Sequence, residues 1–544
     1  MVCVWFTPYT IDSKRNIVCG LSSAHIFTGE TTIFEYETPY IMNPTSFDEI
    51  ERFVSVIRPN EVIVISHLCE KDTQSIIQYT GLDKCALHKI IVETELNERK
   101  KEIVENCQKQ KYINEILGQH YGEEAYNICG EFQMYTVATQ SFCFLLNFLQ
   151  DHNQNLVRRL STPTFTNSSM RMVLANHTLK QLNIIDDNTN DGKQSGIYSS
   201  VLKFLNKCSS PMGKREFQRQ LTNPVFDEVW LEREYDSIGH LLREPESSIM
   251  EMRIKMKSLR DLEKIARQLV TKKIYPNTVY LMYHSIYTIR EICSQYSSEN
   301  MKHLRQYLFE EADPVSDALN SILDYIEDEL VIVNCRNIET TNICEPIIKT
   351  GKHEKLDKLY SEYTNSKELF LCIHKKLNQL MQQNDDKTEY VKIHETEKSG
   401  HSLQITKKRG VALQSILKSK EVLHFENHFI IPTKDIRFNK ASSTTDTIDF
   451  PQLSALLKKT DQIKDQLEKE ISHIFAKFLE TLEQDYYKSM LSIIGWITRV
   501  DVLFCKTHIA RKYNYCKPEL VEHEKSFFDV KDLRHVLIEH IQEN

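Results

Sequence analysis

Hydrophobic spacing changes regime several times along the chain. In the first ninety residues, short strand-like runs (Ile17–Gly20, Thr31–Tyr36, and Val62–Ile65 after the Pro59-Asn60 turn) alternate with helix-like ones. That alternation predicts a small α/β domain. From Glu93 to Gln150 the pattern turns helical and polar, with Glu98-Arg99-Lys100-Lys101 on a solvated face. Beyond Tyr198 helical periodicity dominates to about Gln383, and Ser209-Ser210-Pro211-Met212-Gly213, Thr222-Asn223-Pro224 and Tyr275-Pro276-Asn277 read as joints between helices. Between Glu389 and Phe450 the period becomes two: Leu403 and Ile405 alternate with polar residues, as do Ile436 and Phe438, and Glu426-Asn427 could turn a hairpin. After Pro451 a stripe of Leu456, Ile463, Leu467, Ile471, Ile474, Phe478 and Leu482 predicts helix to Tyr513, interrupted only at Gly495. A helix of some thirty residues spans about 45 Å at 1.5 Å per residue, so one or two very long helices should leave a β-containing insert and run back. The expected fold is mainly α, with a small N-terminal α/β domain and a long-helix bundle carrying a β-rich insert.

Composition narrows the class. With 544 residues and 41% hydrophobic content, the chain is long enough for several cores. A net charge of -8 is modest for this size, so any nucleic-acid surface must be local. Fourteen cysteines include no C-x-x-C pair, and Met1–Thr10 has neither a basic start nor a long apolar stretch. Both features point to reduced thiols in a soluble intracellular protein. The most apolar stretch, Phe142–Leu149, is broken by Asn147 and is far shorter than the roughly 20 residues of a membrane span, so no membrane partner is expected. Glycine, at 14 of 544 residues, stands at about 2.6% against a usual share of about 7%, which argues against glycine-rich phosphate loops.

Catalytic constellations are scarce. Gly192-Lys193, Gly213-Lys214 and Gly351-Lys352 lack both the earlier glycine and the following Ser or Thr of a phosphate loop. His353-Glu354 lacks the later histidine of a zinc-protease helix. Asp186–Gly192 resembles a calcium loop only faintly, because the third ligand position falls on Thr189 and the twelfth on Tyr198, where the bidentate Glu is missing, and it reads as an exposed loop. The acids Asp324, Glu327, Asp328 and Glu329 diverge around a helix and read as a solvated face. No catalytic residue, no metal site and no enzymatic activity is expected. The β-rich insert differs: Val391–Lys440 holds ten Lys and Arg (392, 398, 407, 408, 409, 418, 420, 434, 437, 440) against five acids (395, 397, 421, 426, 435), a local +5. Cations spread along strands can follow a phosphate backbone without reading bases. Lys407, Lys408, Arg409, Lys434, Arg437 and Lys440 are the candidate DNA contacts.

The run Asn206–Arg215 followed by Leu221-Thr222-Asn223-Pro224 resembles the core signature of the MutS family of DNA mismatch-repair proteins. That signature reads leucine, acid, two threonines, Met-Gly-x-Arg, then Trp-Leu and Pro. Met212, Gly213, Arg215 and Pro224 match it, whereas Asn206, Cys208, Ser210 and Gln220 replace the acid, the threonines and the tryptophan. Further similarities follow in the family's order: Leu174 with Thr178-Leu179 and Leu182; Leu259–Lys264; Gly351 with Leu356-Asp357; Asp501-Val502-Leu503; and Tyr515–Glu519. The opening, with Val18–Ser22, Phe27-Thr28-Gly29 and Arg58–Glu61, is similar to the connector of the branch found in large DNA viruses and coral mitochondria.

The resemblance implies a connector-like domain over 1–150, a core and lever over 151–388, a clamp insert over 389–450, returning lever helices over 451–520, and the start of an ATPase domain over 521–544, where Arg534-His535 resembles the strand that introduces it. Phe-x-Glu occurs at Phe47, Phe226, Phe309 and Phe478, none placed as the family's N-terminal mismatch wedge. ATP and Mg²⁺ are implied for the complete family protein, with no cofactor expected in this chain. The implied partners are double-stranded DNA, a MutS-type ATPase subunit in a homo- or heterodimer, and a MutL-type protein. Cytoplasm, nucleus or a viral factory would each suit it. The competing reading is a helical scaffold derived from MutS that no longer acts in repair.

Overall fold

The computed structural model describes the chain except residues 96, 123–125, 127–128, 169–175, 186–195, 297–313, 341–342, 383–388, 397–399, 425–429, 522–523, 525–526 and 542–544. Leu174, the Asp186–Gly192 loop, Phe309, Lys398 and the Glu426-Asn427 turn therefore lie outside the described residues. The chain divides into two compact units, one of Met1–Ile274, Leu281–Leu323 and Glu483–Asn544, the other of Tyr275–Tyr280 and Asp324–Leu482. The fold is mainly α, with a small N-terminal α/β domain and a β-containing insert.

The first unit opens on a six-stranded sheet ordered β5-β4-β1-β2-β3-β6. Its strands are β1 (Val2–Ile11), β2 (Lys14–Ala24), β3 (Thr31–Pro39), β4 (Glu61–Ser66), β5 (Ala86–Ile91) and β6 (Thr164–Phe165). β1, β2 and β3 form an antiparallel meander, and β4 runs parallel to both β1 and β5. Helices α1 (Asp48–Ile57) and α2 (Glu70–Thr80) accompany one face, where Val2, Val4 and Phe6 join Ile50, Phe53, Ile76 and Ile77 in one core. Cys3 and Trp5, pointing the other way, join a second core with α3 (Thr136–His152). Burial on both faces makes the start of β1 a continuous apolar run, which hides its period of two.

The apolar stretch Phe142–Leu149 is thus a buried helix on this sheet. It approaches β2 so closely that a Cβ at Gly20 would lie 2.4 Å from the backbone of Val137, which requires glycine there. Ser141 fixes the crossing by donating to the Cys3 carbonyl at 2.9 Å and pairing with Ser22 at 2.8 Å. No described helix is long and apolar enough to cross a membrane.

Elsewhere in this unit the domain docks through charge. Arg267 of α5 (Leu262–Val270), only 3% exposed, donates to the carbonyls of Ile26 at 3.0 Å, Arg158 at 2.5 Å and Leu156. The buried Glu483 accepts from Arg158 at 2.8 Å and Arg159 at 3.1 Å.

The second unit contains α6 (Glu354–Met381), the insert and the first part of α8 (Pro451–Tyr513). Helix α8 continues through Gly495 rather than breaking there, and at 63 residues is about 95 Å long. The insert holds a four-stranded sheet ordered β11-β12-β8-β7 and a two-stranded hairpin β9-β10. Their ranges are β7 Val391–Thr396, β8 Gly400–Thr406, β9 Val422–His424, β10 Ile430–Pro432, β11 Arg437–Lys440 and β12 Thr445–Asp449.

Between β8 and β9 the expected period of two fails: Lys407–Lys418 is a helix, α7. Its buried residues Gly410, Leu413 and Leu417 fall at helical spacing and pack with Leu403, Ile405 and Ile448 of the sheet and Phe370, Ile373 and Leu377 of α6. Lys407, Lys408 and Arg409 are consequently the first turn of a helix, not strand residues.

Candidate nucleic-acid interface

The insert sorts its cations by the register of its sheet. Thr445 pairs with Thr406, Asp446 with Lys440, and Val391 with Ile405, so the start of α7, the end of β11 and the start of β7 share one end of the sheet. Lys407, Lys408, Arg409 and Lys440 gather there. The first turn of α7 contains no acid, and its N-cap Thr406 makes no side-chain cap, leaving amide donors and a positive helix end beside the three cations. Such a combination suits phosphate oxygens.

Two of the four cations are partly committed. Lys407 donates to the Ser443 carbonyl at 2.8 Å, and Arg409 lies 4.9 Å over the Tyr390 ring while donating weakly to the Glu389 carbonyl at 3.4 Å. Lys408 and Lys440 are exposed.

The remaining two expected contacts lie elsewhere. Arg437, exposed, stands opposite Asp449 in the register, as Lys440 stands opposite Asp446. These acids follow Lys440 in the chain, so over Val391–Phe450 ten basic residues face seven acids and the net falls from +5 to +3. Lys434, in the turn Thr433–Asp435, lies near Lys418 and Lys420 at the other end of α7.

The signature residues form a separate construction in the first unit. Ser210 caps α4 (Pro211–Thr222) by accepting from the Gly213 amide at 3.0 Å, the role a threonine there could also fill. Asp501 of α8, 1% exposed, accepts from the Ser209 amide at 2.9 Å, the Ser210 amide at 2.7 Å and the Ser210 hydroxyl at 2.7 Å. A Cβ on Gly213 would fall 2.2 Å from the Asp501 carboxylate, so only glycine lets the two helices meet. Met212 is fully buried beside it, and Pro224 follows the end of α4.

Arg215 holds Asp261 with two nitrogens at 2.8 and 2.7 Å and Glu263 at 2.8 Å. Gln220, in place of tryptophan, accepts from Lys506 at 2.9 Å. The matches Met212–Arg215, Leu259–Lys264 and Asp501–Leu503 are thus parts of one polar lock. Likewise Gly351, with φ +86, donates its amide to Asp357 at 2.9 Å where α6 begins.

Electrostatics within the lock differ by site. Burial pushes the Asp501 carboxyl upward, only partly offset by the hydrogen bonds from Ser210 and Ser209. Burial also raises Glu263 despite Arg215. At Asp261 burial pushes the carboxyl up, but the hydrogen bonds and charge of Arg215, together with the amide and charge of Lys264, hold it below its usual range.

The Gly-Lys pairs among the described residues do not fit a triphosphate. Gly213 abuts a carboxylate, and Lys352 pairs with Asp328 and, at 3.0 Å, with Glu329. Those two acids belong to the expected solvated cluster on the helix Pro314–Glu329. No group of three or more His, Cys, Asp or Glu among the described residues is placed to hold a metal ion.

Comparison with known proteins agrees with this geometry. The family model for MutS domain III matches residues 177–506, more than half of the chain. A mutS homologue of Acanthamoeba polyphaga mimivirus is 24% identical over 97% of this chain and 49% of its own length. The mitochondrial DNA mismatch repair protein mutS homologue of Sarcophyton glaucum is 22% identical over 73% of this chain and 38% of its own. Human DNA mismatch repair protein Msh3 is 20% identical over 97% of this chain and 43% of its own. The chain spans about half or less of the length of these relatives. With its signature residues assembled into one lock and the domain III match running through both that lock and the insert, the chain belongs to the MutS family.

Proposed function

We propose that this chain supplies the DNA-holding clamp of a mismatch-repair complex, with the helices that support it. The observation that carries this reading is the gathering of Lys407, Lys408, Arg409 and Lys440 at one end of a sheet mounted between α6 and α8. Cations presented this way neutralise phosphates independently of sequence, and the relatives' names tie proteins of this kind to DNA mismatch repair. The reading gives this chain no enzymatic step. ATP and Mg²⁺ are assigned to a MutS-type ATPase domain or subunit outside the described residues. Duplex DNA, a second MutS-type subunit in a homo- or heterodimer, and a MutL-type protein are the proposed partners, in a soluble intracellular setting.

A second reading, a scaffold without a DNA role, draws support from Asp446 and Asp449, which oppose Lys440 and Arg437 and lower the net charge of the insert. The two readings separate on the salt dependence of duplex binding. Each phosphate neutralised contributes about 0.9 to the slope of log K against log salt. Changing Lys407, Lys408 and Arg409 to Ala should flatten that slope by about one to three units, the lower figure applying if only Lys408 is free to reach a phosphate. Lys100→Ala/Lys101→Ala, in the N-terminal domain, should leave it unchanged. If the control loses as much slope as the triple variant, or the triple variant loses none, the scaffold reading replaces the clamp.

A further inference from the structure

The first turn of α7 and its last turn lie about 16 Å apart at 1.5 Å per residue. The second end carries its own basic group, which the duplex surface leaves unexplained. There Lys418, Lys420 and Lys434, all exposed, rim a cavity of about 790 Å³. Its floor is apolar, with Leu417, Ile436 and Phe438 among the lining residues. Among the described residues that line it, Glu421 is the one carboxylate. The walls are tied together: Thr433 donates its amide to the Glu421 carbonyl at 3.1 Å and its hydroxyl to the Lys420 carbonyl at 2.5 Å, which joins the β10 end to the segment entering β9.

This combination selects a ligand shape. A duplex presents a convex, uniformly charged backbone, which cannot enter a concavity and gains nothing from an apolar floor. An unpaired nucleotide offers a flat apolar base and one phosphate, and the cavity falls within the roughly 300–1,000 Å³ of small-ligand sites. Protein sites for single strands combine these two elements, a cationic track for the backbone and an apolar or aromatic surface for the base.

We propose that this cavity seats an unpaired nucleotide of a DNA strand, with its phosphate among Lys418, Lys420 and Lys434 and its base over Leu417, Ile436 and Phe438. The inference rests on the nucleic-acid reading of the insert and deepens it: the preferred substrate is a duplex with an adjoining single strand, at a gap or an overhang.

The test compares the full chain binding a labelled blunt duplex with its binding to the same duplex extended by a thymidine overhang, at the 3′ and then at the 5′ end, by fluorescence anisotropy. Seating one base should tighten binding by roughly five-fold or more, the lower end of what stacking a single base supplies. Lys418→Ala/Lys420→Ala should abolish that gain while leaving blunt-duplex affinity unchanged, and Lys418→Arg/Lys420→Arg should retain the gain. Blunt binding with no gain from either overhang overturns the nucleotide site and leaves the clamp reading standing. A gain that survives in the Ala variant also overturns it, because the overhang then binds elsewhere. Failure to bind either DNA removes the clamp reading, and this inference with it.

Discussion

Replacing Gly213 with Ala adds one methyl group where there is no space for it. The added Cβ would lie 2.2 Å from Oδ2, 2.7 Å from Cγ and 2.9 Å from Cβ of Asp501. Asp501 must therefore move by more than an ångström or α4 must shift, and either motion strains the three hydrogen bonds that Asp501 accepts from Ser209 and Ser210. Overpacking costs about 1–3 kcal/mol. Stranding one buried donor costs about 1–3 kcal/mol more. Alanine's better helix propensity returns about 1 kcal/mol. The expected net loss is about 2–4 kcal/mol, since neighbouring terms do not add fully.

Because a chain with several units need not unfold in one step, the loss is best read locally, by native-state hydrogen exchange of amides in 209–222 and 495–507. In an Asp501→Gly background the carboxylate and the Cβ that would lie 2.9 Å away are both gone, so adding Gly213→Ala should cost less than about 1 kcal/mol, a coupling of the size expected for groups in contact. A Gly213→Ala variant that is neutral, or more stable by the full helix-propensity gain, would refute the packing described for this lock.

Asp261 predicts a pH dependence. Its folded carboxyl lies below the ordinary value of 3.8, so its stabilisation is complete above that pH and fades as pH falls through the still lower folded value. The stability difference between the native chain and Asp261→Asn should hold steady above about pH 5 and shrink below about pH 4 in acid titrations followed by circular dichroism. A constant difference down to pH 2 would contradict a carboxyl held low by Arg215 and Lys264. For the N-terminal domain, Arg267→Ala strands three carbonyls and should destabilise the docked state by at least about 2 kcal/mol, seen as faster exchange at 154–160. Glu483→Gln should act on the same amides more weakly, and unchanged exchange in both variants would mean that other contacts hold the domain.

Much of this fold was legible in the sequence because burial on one face leaves a period. The stripe from Leu456 to Leu482 and the alternation of Leu403 with Ile405 translate directly into α8 and β8. Where both faces are buried the period disappears, so the run Val2–Phe6 gave no strand signal. Helix α7 was obscured by its neighbours: three turns between two strands are too short to outweigh a period of two counted over sixty residues.

The candidate contacts were legible as residue types but not as a surface. Register alone sets Asp446 against Lys440 and Asp449 against Arg437, and the length of α7 separates Lys434 from Lys407. The signature was recognisable from Met212, Gly213, Arg215 and Pro224. Its role as a lock was not, because the carboxylate that explains Gly213 lies at Asp501, on a helix hundreds of residues away.

The most direct test of the clamp is equilibrium binding of the 544-residue chain to a blunt duplex of about 30 base pairs, repeated from about 50 to 200 mM salt. Sequence-independent binding with Kd of about 10⁻⁴ to 10⁻⁶ M near physiological salt, and a log–log salt slope of about -2 to -4 for the cations at one end of the sheet, is the predicted result. No binding at about 100 μM protein in the lowest salt, or a slope shallower than about -1, would contradict a phosphate-holding role for Lys407, Lys408, Arg409 and Lys440.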